Sequence, residues 1–257
     1  MLRLLWTISL ILFSTSAYGA IGNEWFRYYD IRNAEAITTS GQLAIRWIEK
    51  ELNAQFNVIH KTKDESYVIA SDTDSVYLRL GNLVDKVCGS RSKSEVVEFL
   101  DKASEEVILP FIKKQYDELA TTMNAYENKM VMDRECIADK AVWTAKKRYI
   151  LNVHNSEGVQ YAQPKLKVMG LEMVKSSTPA VIRDKLKDSL QVILSGDEKK
   201  LHTYVTEFKK EFVKLPIEDI AFPRGVNGMK QYAGSPIYTK GTPIHVRGSL
   251  LYNHYTK

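Results

Sequence analysis

Cysteine is nearly absent from this 257-residue chain, and the two present, Cys88 and Cys136, lie far apart at no zinc-ligand spacing. A disulfide scaffold and a zinc module are thereby excluded, and the pair reads as free thiols in a reducing compartment. Long apolar runs are also lacking. The one candidate, Leu4 to Phe13, is too short for a membrane span. Internal repeats and low-complexity tracts are missing, and the five histidines are scattered with no nucleophile–base pairing. What is present is ordinary: 44% hydrophobic and 26% charged residues, enough for a real core, with a formal net charge of +5. That mild excess permits a polyanion partner without demanding one.

The N-terminus has the grammar of a secretory signal peptide. Arg3 precedes the apolar run, and Ala17-Tyr18-Gly19 forms a passable cleavage site. A buried helix is the competing reading. Beyond it, Ile37, Ala44, Ile48 and Leu52 recur at helical spacing and predict an amphipathic helix from Asn33 to Phe56, with Asp30 or Asn33 as N-cap. Two β-rich runs follow, Tyr67 to Ala70 and Ser75 to Leu78, joined by Asp72-Thr73-Asp74 as a hairpin with an acidic tip. A second helical stretch is expected from Lys93 to Met123, interrupted near Pro110. Lys129 to Val153 and Gln160 to Met169 read as strands.

The texture changes near Lys165 to Gly170, where a domain boundary is expected. Ser177-Thr178-Pro179 supplies a cap and first-turn proline for a helix to about Leu194, closed by Gly196, and a further helix should run from Glu198 to Leu215. A loop with Gly and Pro then leads to His245-Val246-Arg247-Gly248. A sheet-and-helix domain followed by a helical one makes the fold class α+β.

Chemistry concentrates at Asp72 and Asp74. Residues two apart on a strand share a face, so both carboxylates would point the same way. Such a hard-oxygen pair suits Mg²⁺ and can serve two metal ions in attack of a hydroxyl on a phosphate. The plain alternative is a solvated turn. Lys146-Lys147-Arg148, flanked by Trp143 and Tyr149, joins phosphate-neutralising charge to aromatic surface, as backbone-tracking proteins do; a solvated face is its plain alternative.

Three motifs, in order, decide between these readings. Ala70-Ser71-Asp72-Thr73-Asp74-Ser75-Val76-Tyr77 resembles motif C of family B DNA polymerases, Y-G-D-T-D-S-x-Y, with Ala70 and Ser71 replacing its first two residues. Ser16 to Asn23, containing Tyr18-Gly19, resembles the end of motif B, and Lys146-Lys147-Arg148-Tyr149 resembles the K-K-R-Y motif. Trp25 to Asn33, Met132 to Glu135, Lys167 to Glu172, Ser176 to Pro179 and His245 to Gly248 resemble the polymerases of large tailed bacteriophages, so the likeness covers about Ser16 to Asn253.

The resemblance implies a palm fragment with an antiparallel sheet and helices, residues 16–167 with the end of the fingers, then an incomplete, mostly helical thumb, residues 168–257. Residues 1–15 would be an extension foreign to the family, and the signal-peptide reading yields to motif B. Asp74 would be the direct metal ligand and Asp72 its neighbour at the same site. Tyr18 would sit beside the nascent base pair. Lys147 and Tyr149 would contact the minor groove near the primer end. Lys146, Arg148 and Lys167 would neutralise phosphates, while His245 and Arg247 would belong to the thumb surface that holds duplex. Asp133 and Glu135 would form an auxiliary acidic patch or, equally, a structural salt-bridge pair.

The implied activity is DNA-directed DNA synthesis by two-metal phosphoryl transfer with Mg²⁺. Its partners would be primer-template DNA, deoxynucleoside triphosphates, an upstream polymerase fragment and a sliding clamp met through residues beyond Lys257. No membrane is expected, and the location would be cytoplasmic, in the host cell if phage-encoded. Departures from the pattern matter. Ile11 stands where motif B has a lysine that pairs with the triphosphate, and Thr15 where it has asparagine. Motif A, source of another metal-binding aspartate, would lie upstream. The chain is therefore expected to be inactive in isolation. The runner-up is a non-catalytic duplex-binding remnant. A secreted protein rests on the N-terminus alone.

Overall fold

The computed structural model describes residues 17–232 and 241–256; the N-terminal extension, Ser16 and the residues at Ile11 and Thr15 lie outside them. The chain divides into two compact units. The first holds the described residues up to Asp139 together with Asn152–Lys165, the second Lys140–Leu151 with the residues from Leu166 onward. Fold class is α+β, as the sequence suggests.

In the first unit a helical turn at 17–21 precedes α1, Ile31–His60. Asp30 caps α1 by accepting from the Arg32 amide, and Lys61 closes it in the left-handed region. Its buried stripe, Ala44, Ile48, Leu52, Phe56 and His60, advances four residues at a time. Ile37 is off that stripe and 52% exposed, contrary to its sequence reading, because the first turns of α1 bury only Ala34. Strands β1 (Val68–Asp72) and β2 (Ser75–Leu78) form an antiparallel hairpin as expected. Tyr67, Val68, Ile112, Tyr116 and Leu119 pack with Ile48, Leu52 and Phe56 into one core. Each fully buried aliphatic or aromatic side chain there contributes about 1.5–3 kcal/mol.

After α2 (Gly81–Val87), the capping box Ser92–Glu95 starts α3, Lys93–Ala103. The interruption expected near Pro110 is a π-helical turn at Ser104–Ile108 rather than a break, and α4 (Leu109–Thr122) continues from it. Proline removes one amide donor and crowds the carbonyl four residues back, and a wider turn absorbs both effects. The region read as one strand stretch, Lys129 to Val153, is two: β3 (Cys136–Ala145) and β4 (Arg148–Ser156), joined with β5 (Val159–Met169) in the order β3-β4-β5. Two-residue turns close both connections, which only antiparallel neighbours allow.

In the second unit Ile150, Leu171, Met173 and Leu190 form the core, flanked by Leu166, Val168, Leu186 and Leu194. Helix α5 (Ala180–Ser195) starts after Pro179, which occupies the cap position instead of the first turn, and ends on Gly196 at φ 75°. Asp197 caps α6 (Glu198–Phe212), and α7 (Ile217–Ile220) is one short turn. His245-Val246-Arg247-Gly248 lies inside a final helix, α8 (Ile244–Thr256). Among the described residues no helix is long and apolar enough to cross a membrane.

Candidate functional site

The acidic hairpin has a fixed root and an exposed tip. At the root, Asn53 Oδ1 on α1 accepts from the amides of Tyr67 and Val68 at 2.7 and 2.9 Å. The Tyr67 ring is fully buried and lies 5.5 Å from Phe56 and 5.1 Å from His60, centroid to centroid. Its hydroxyl pairs with Thr62 at 2.8 Å, and the Arg79 amide donates to the Tyr67 carbonyl at 2.8 Å. The register shifts between Val68 and Ala70, where β1 carries one residue more than β2.

At the tip, Asp72 pairs with Ser75 as the last residue of β1, so Thr73 and Asp74 are the turn. The shared-face argument for two carboxylates on a strand therefore does not apply, because Asp74 is not in a strand. A tight turn brings the two together instead. The Asp74 amide donates to the Asp72 carbonyl at 2.6 Å around Thr73, which sits at φ 56°. A β-branched residue at positive φ is a genuine outlier and costs about 1–2 kcal/mol. The Thr73 hydroxyl donates to Asp72 Oδ1 at 3.0 Å, and the Ser75 hydroxyl to the Asp72 carbonyl at 3.2 Å. Asp74 is exposed, and nothing among the described residues holds its carboxylate.

These donors fit a hard divalent cation such as Mg²⁺ as part of a site. Two carboxylates stand one residue apart, one of them unengaged, and Mg²⁺ takes few protein ligands beside water and substrate oxygens. Among the described residues no group of three or more His, Cys, Asp or Glu could hold a metal ion. Asp133 and Glu135 are exposed in the segment before β3. Arg134 between them points inward, 9% exposed, pairs with Asp101 and donates to Asn155 at 3.0 Å.

His60 adds pH sensitivity to the hairpin root. Burial pushes its imidazole below the usual value, and the nearby Lys86 ammonium adds to the effect. Its Nε2 is buried with no hydrogen-bond partner among the described residues. The unfolded chain thus binds a proton more readily than the folded one. The neutral ring's contribution is complete above pH ~6.5 and is lost as pH falls through the lower folded value. Thermal melts between pH 7.5 and 5 should show wild type losing more stability than His60→Phe, which keeps the stack and removes the titration. Parallel losses would exclude His60 as the source.

In the second unit, Lys146 and Lys147 form the two-residue turn between β3 and β4, with Lys147 at φ 59°. Lys146 is exposed, and its ammonium makes no hydrogen bond or ion pair among the described residues. Tyr149 is 7% exposed, and its ring lies 6.4 Å from that of Trp143. Arg148 reaches Glu172 with bonds of 2.5 and 2.7 Å and the Gly170 carbonyl at 3.2 Å. Lys167 is half-buried on β5, His245 is exposed on α8 and Arg247 half-buried beside it; Tyr18 is 42% exposed on the helical turn at 17–21. Sequence reasoning assigned no role to Asn53, Gly170 or Glu172. A helical asparagine that caps a strand root has no sequence signature, whereas Gly170 just past a β-rich run was a visible signal.

The same hairpin is matched by a known family. Residues 53–208 match the family model described as divergent family B DNA polymerase. The chain belongs to that family. It is 43% identical over 256 residues, 96% of its length, to the DNA-directed DNA polymerase of Escherichia phage RB69, and 40% identical over 247 residues, 92%, to that of Enterobacteria phage T4. In each case it spans 28% of the relative. The family match covers both the Asp72–Asp74 turn and the Lys146–Tyr149 turn of this family B chain.

Proposed function

We propose that this chain is the part of a DNA-directed DNA polymerase that displays one half of the metal site and grips the primer-template duplex. The observation that carries the reading is the Asp72-Thr73-Asp74 turn: a strained, exposed acidic tip on a root buried in the core, inside a family B match. Strain of this kind collects at functional positions. Asp74, with Asp72, would hold Mg²⁺, which supplies charge neutralisation when the primer 3′ hydroxyl attacks a deoxynucleoside triphosphate. Asp74 offers an oxygen pair that no side chain among the described residues competes for, and Asp72 ties the turn through Thr73 and Ser75. Tyr18 would stand beside the nascent base pair. Lys147 and Tyr149 would meet the minor groove, and Lys146, Lys167, His245 and Arg247 the duplex backbone.

The second reading, a duplex-binding chain without catalysis, would hold for these 257 residues acting alone, with Asp72 and Asp74 as one side of the site. A two-metal site needs ligands on both sides of the ions. The purified chain should therefore bind a labelled hairpin primer-template weakly, without sequence preference and with steep salt dependence, yet extend no primer. Lys147→Ala should weaken that binding by about 1 kcal/mol or more, and lower the salt slope by up to about one where Lys147 also neutralises a phosphate. Salt-independent binding would refute the duplex grip, and robust extension free of contaminating polymerase would refute the half-site.

A further inference from the structure

The turn between β3 and β4 is held from outside the hairpin. Two-residue turns with positive φ are normally built from Asn or Gly. Here Lys146-Lys147 makes the turn, with Lys147 at φ 59°. What compensates comes from the segment Gly170–Lys175. Gly170, itself at φ 67°, approaches so closely that a Cβ there would stand 2.1 Å from the Lys147 carbonyl oxygen. Arg148 Nε donates to the Gly170 carbonyl at 3.2 Å, and its guanidinium takes both oxygens of Glu172 at 2.5 and 2.7 Å. Lys175 Nζ holds the same carboxylate at 3.1 Å. Hydrogen bonding from Lys175, then the Glu172 amide, with the Arg148 charge adding to both, keeps that carboxyl below its usual range.

From this geometry we infer that Arg148, Gly170 and Glu172 form one clamp that sets the conformation of the Lys146-Lys147 turn, with Arg148 and Glu172 as positioning residues. Arg148 is then a strut and not a phosphate contact. Nε and Nη2 are thus engaged, and a phosphate seeking Nη2 would have to displace a carboxylate that a second cation also holds. The clamp's use in DNA binding rests on the duplex-grip reading; its existence does not.

Two measurements on the 257-residue chain separate these. Hydrogen exchange at the amides of 146–149 should quicken about tenfold in Glu172→Gln, with α1 unchanged, and Glu172→Asp should recover part of the protection. Unchanged exchange in Glu172→Gln would overturn the clamp whether or not DNA binds. The second measurement is binding to the hairpin primer-template across several salt concentrations. Glu172→Gln removes a negative charge beside a basic turn, so long-range electrostatics alone would tighten binding to a polyanion. The clamp instead gives weaker binding, by about threefold to tenfold, because the lysines lose their placement. Arg148→Met should weaken binding to about the same extent as Glu172→Gln and with the same salt slope, because both release the one clamp. Tighter binding by Glu172→Gln, or a slope in Arg148→Met lower by about one than that of Glu172→Gln, would overturn the positioning role and make Arg148 a phosphate contact. A wild-type chain that binds no DNA would refute the duplex grip and leave the clamp to stand or fall on exchange.

Discussion

Asp74→Asn is expected to lower primer extension by about 10³-fold in a polymerase assembled from this chain and a part that carries the other metal-binding aspartate. The substitution preserves size and removes one charge. Asp74 is exposed and has no side-chain partner among the described residues, so the fold loses nothing with it. Its amide, which donates to the Asp72 carbonyl, is untouched. A drop in rate with unchanged thermal stability and unchanged duplex binding would therefore report the lost charge alone. Asp72→Asn should cost less, about 10²-fold. Its backbone carbonyl, which collects the Asp74 amide and the Ser75 hydroxyl, survives the change, and an amide oxygen can still accept from Thr73. Full activity of Asp74→Asn in the assembled enzyme would remove the turn from the catalytic site.

How much of this was legible in the sequence depends on how local each determinant is. The hairpin at Asp72–Asp74 was readable because two β-rich runs flank a turn residue cluster, and α1 because its apolar stripe repeats every four residues. The geometry of the acidic turn was not readable. Threonine has no preference for φ 56°; the surrounding strands impose it, and with it the failure of the shared-face argument. For the same reason Lys146-Lys147 looked like strand: nothing in a lysine pair announces a turn whose positive φ is accommodated by Gly170, more than twenty residues on. Pro110 announced a disturbance correctly but could not say that a π-helical turn would absorb it. Arg148 shows the limit most clearly. The motif gives the residue, and only the fold reveals that Glu172 already engages its Nη2.

Gly170→Ala should be among the most damaging single substitutions in the second unit, and Gly196→Ala supplies its control. Both glycines have positive φ, 67° and 75°, so alanine at either incurs the left-handed backbone penalty of about 1–2 kcal/mol. Their surroundings differ. A Cβ at Gly196 would meet nothing within 4 Å, whereas at Gly170 it would stand 2.1 Å from the Lys147 oxygen and 3.2 Å from the Lys147 carbonyl carbon and Arg148 Cγ. The nearest of these is backbone, in a turn already at φ 59°, with no rotamer by which to withdraw. Either the turn or the start of Leu171 must move. Leu171 is 9% exposed and packs in the core with Ile150, Met173 and Leu190. Gly170→Ala should thus cost at least about 3 kcal/mol against about 1 kcal/mol for Gly196→Ala, measured by urea denaturation with hydrogen exchange in α5 as the local probe. Equal costs at the two positions would mean that the close approach of Gly170 to Lys147 contributes nothing, and would remove one arm of the clamp.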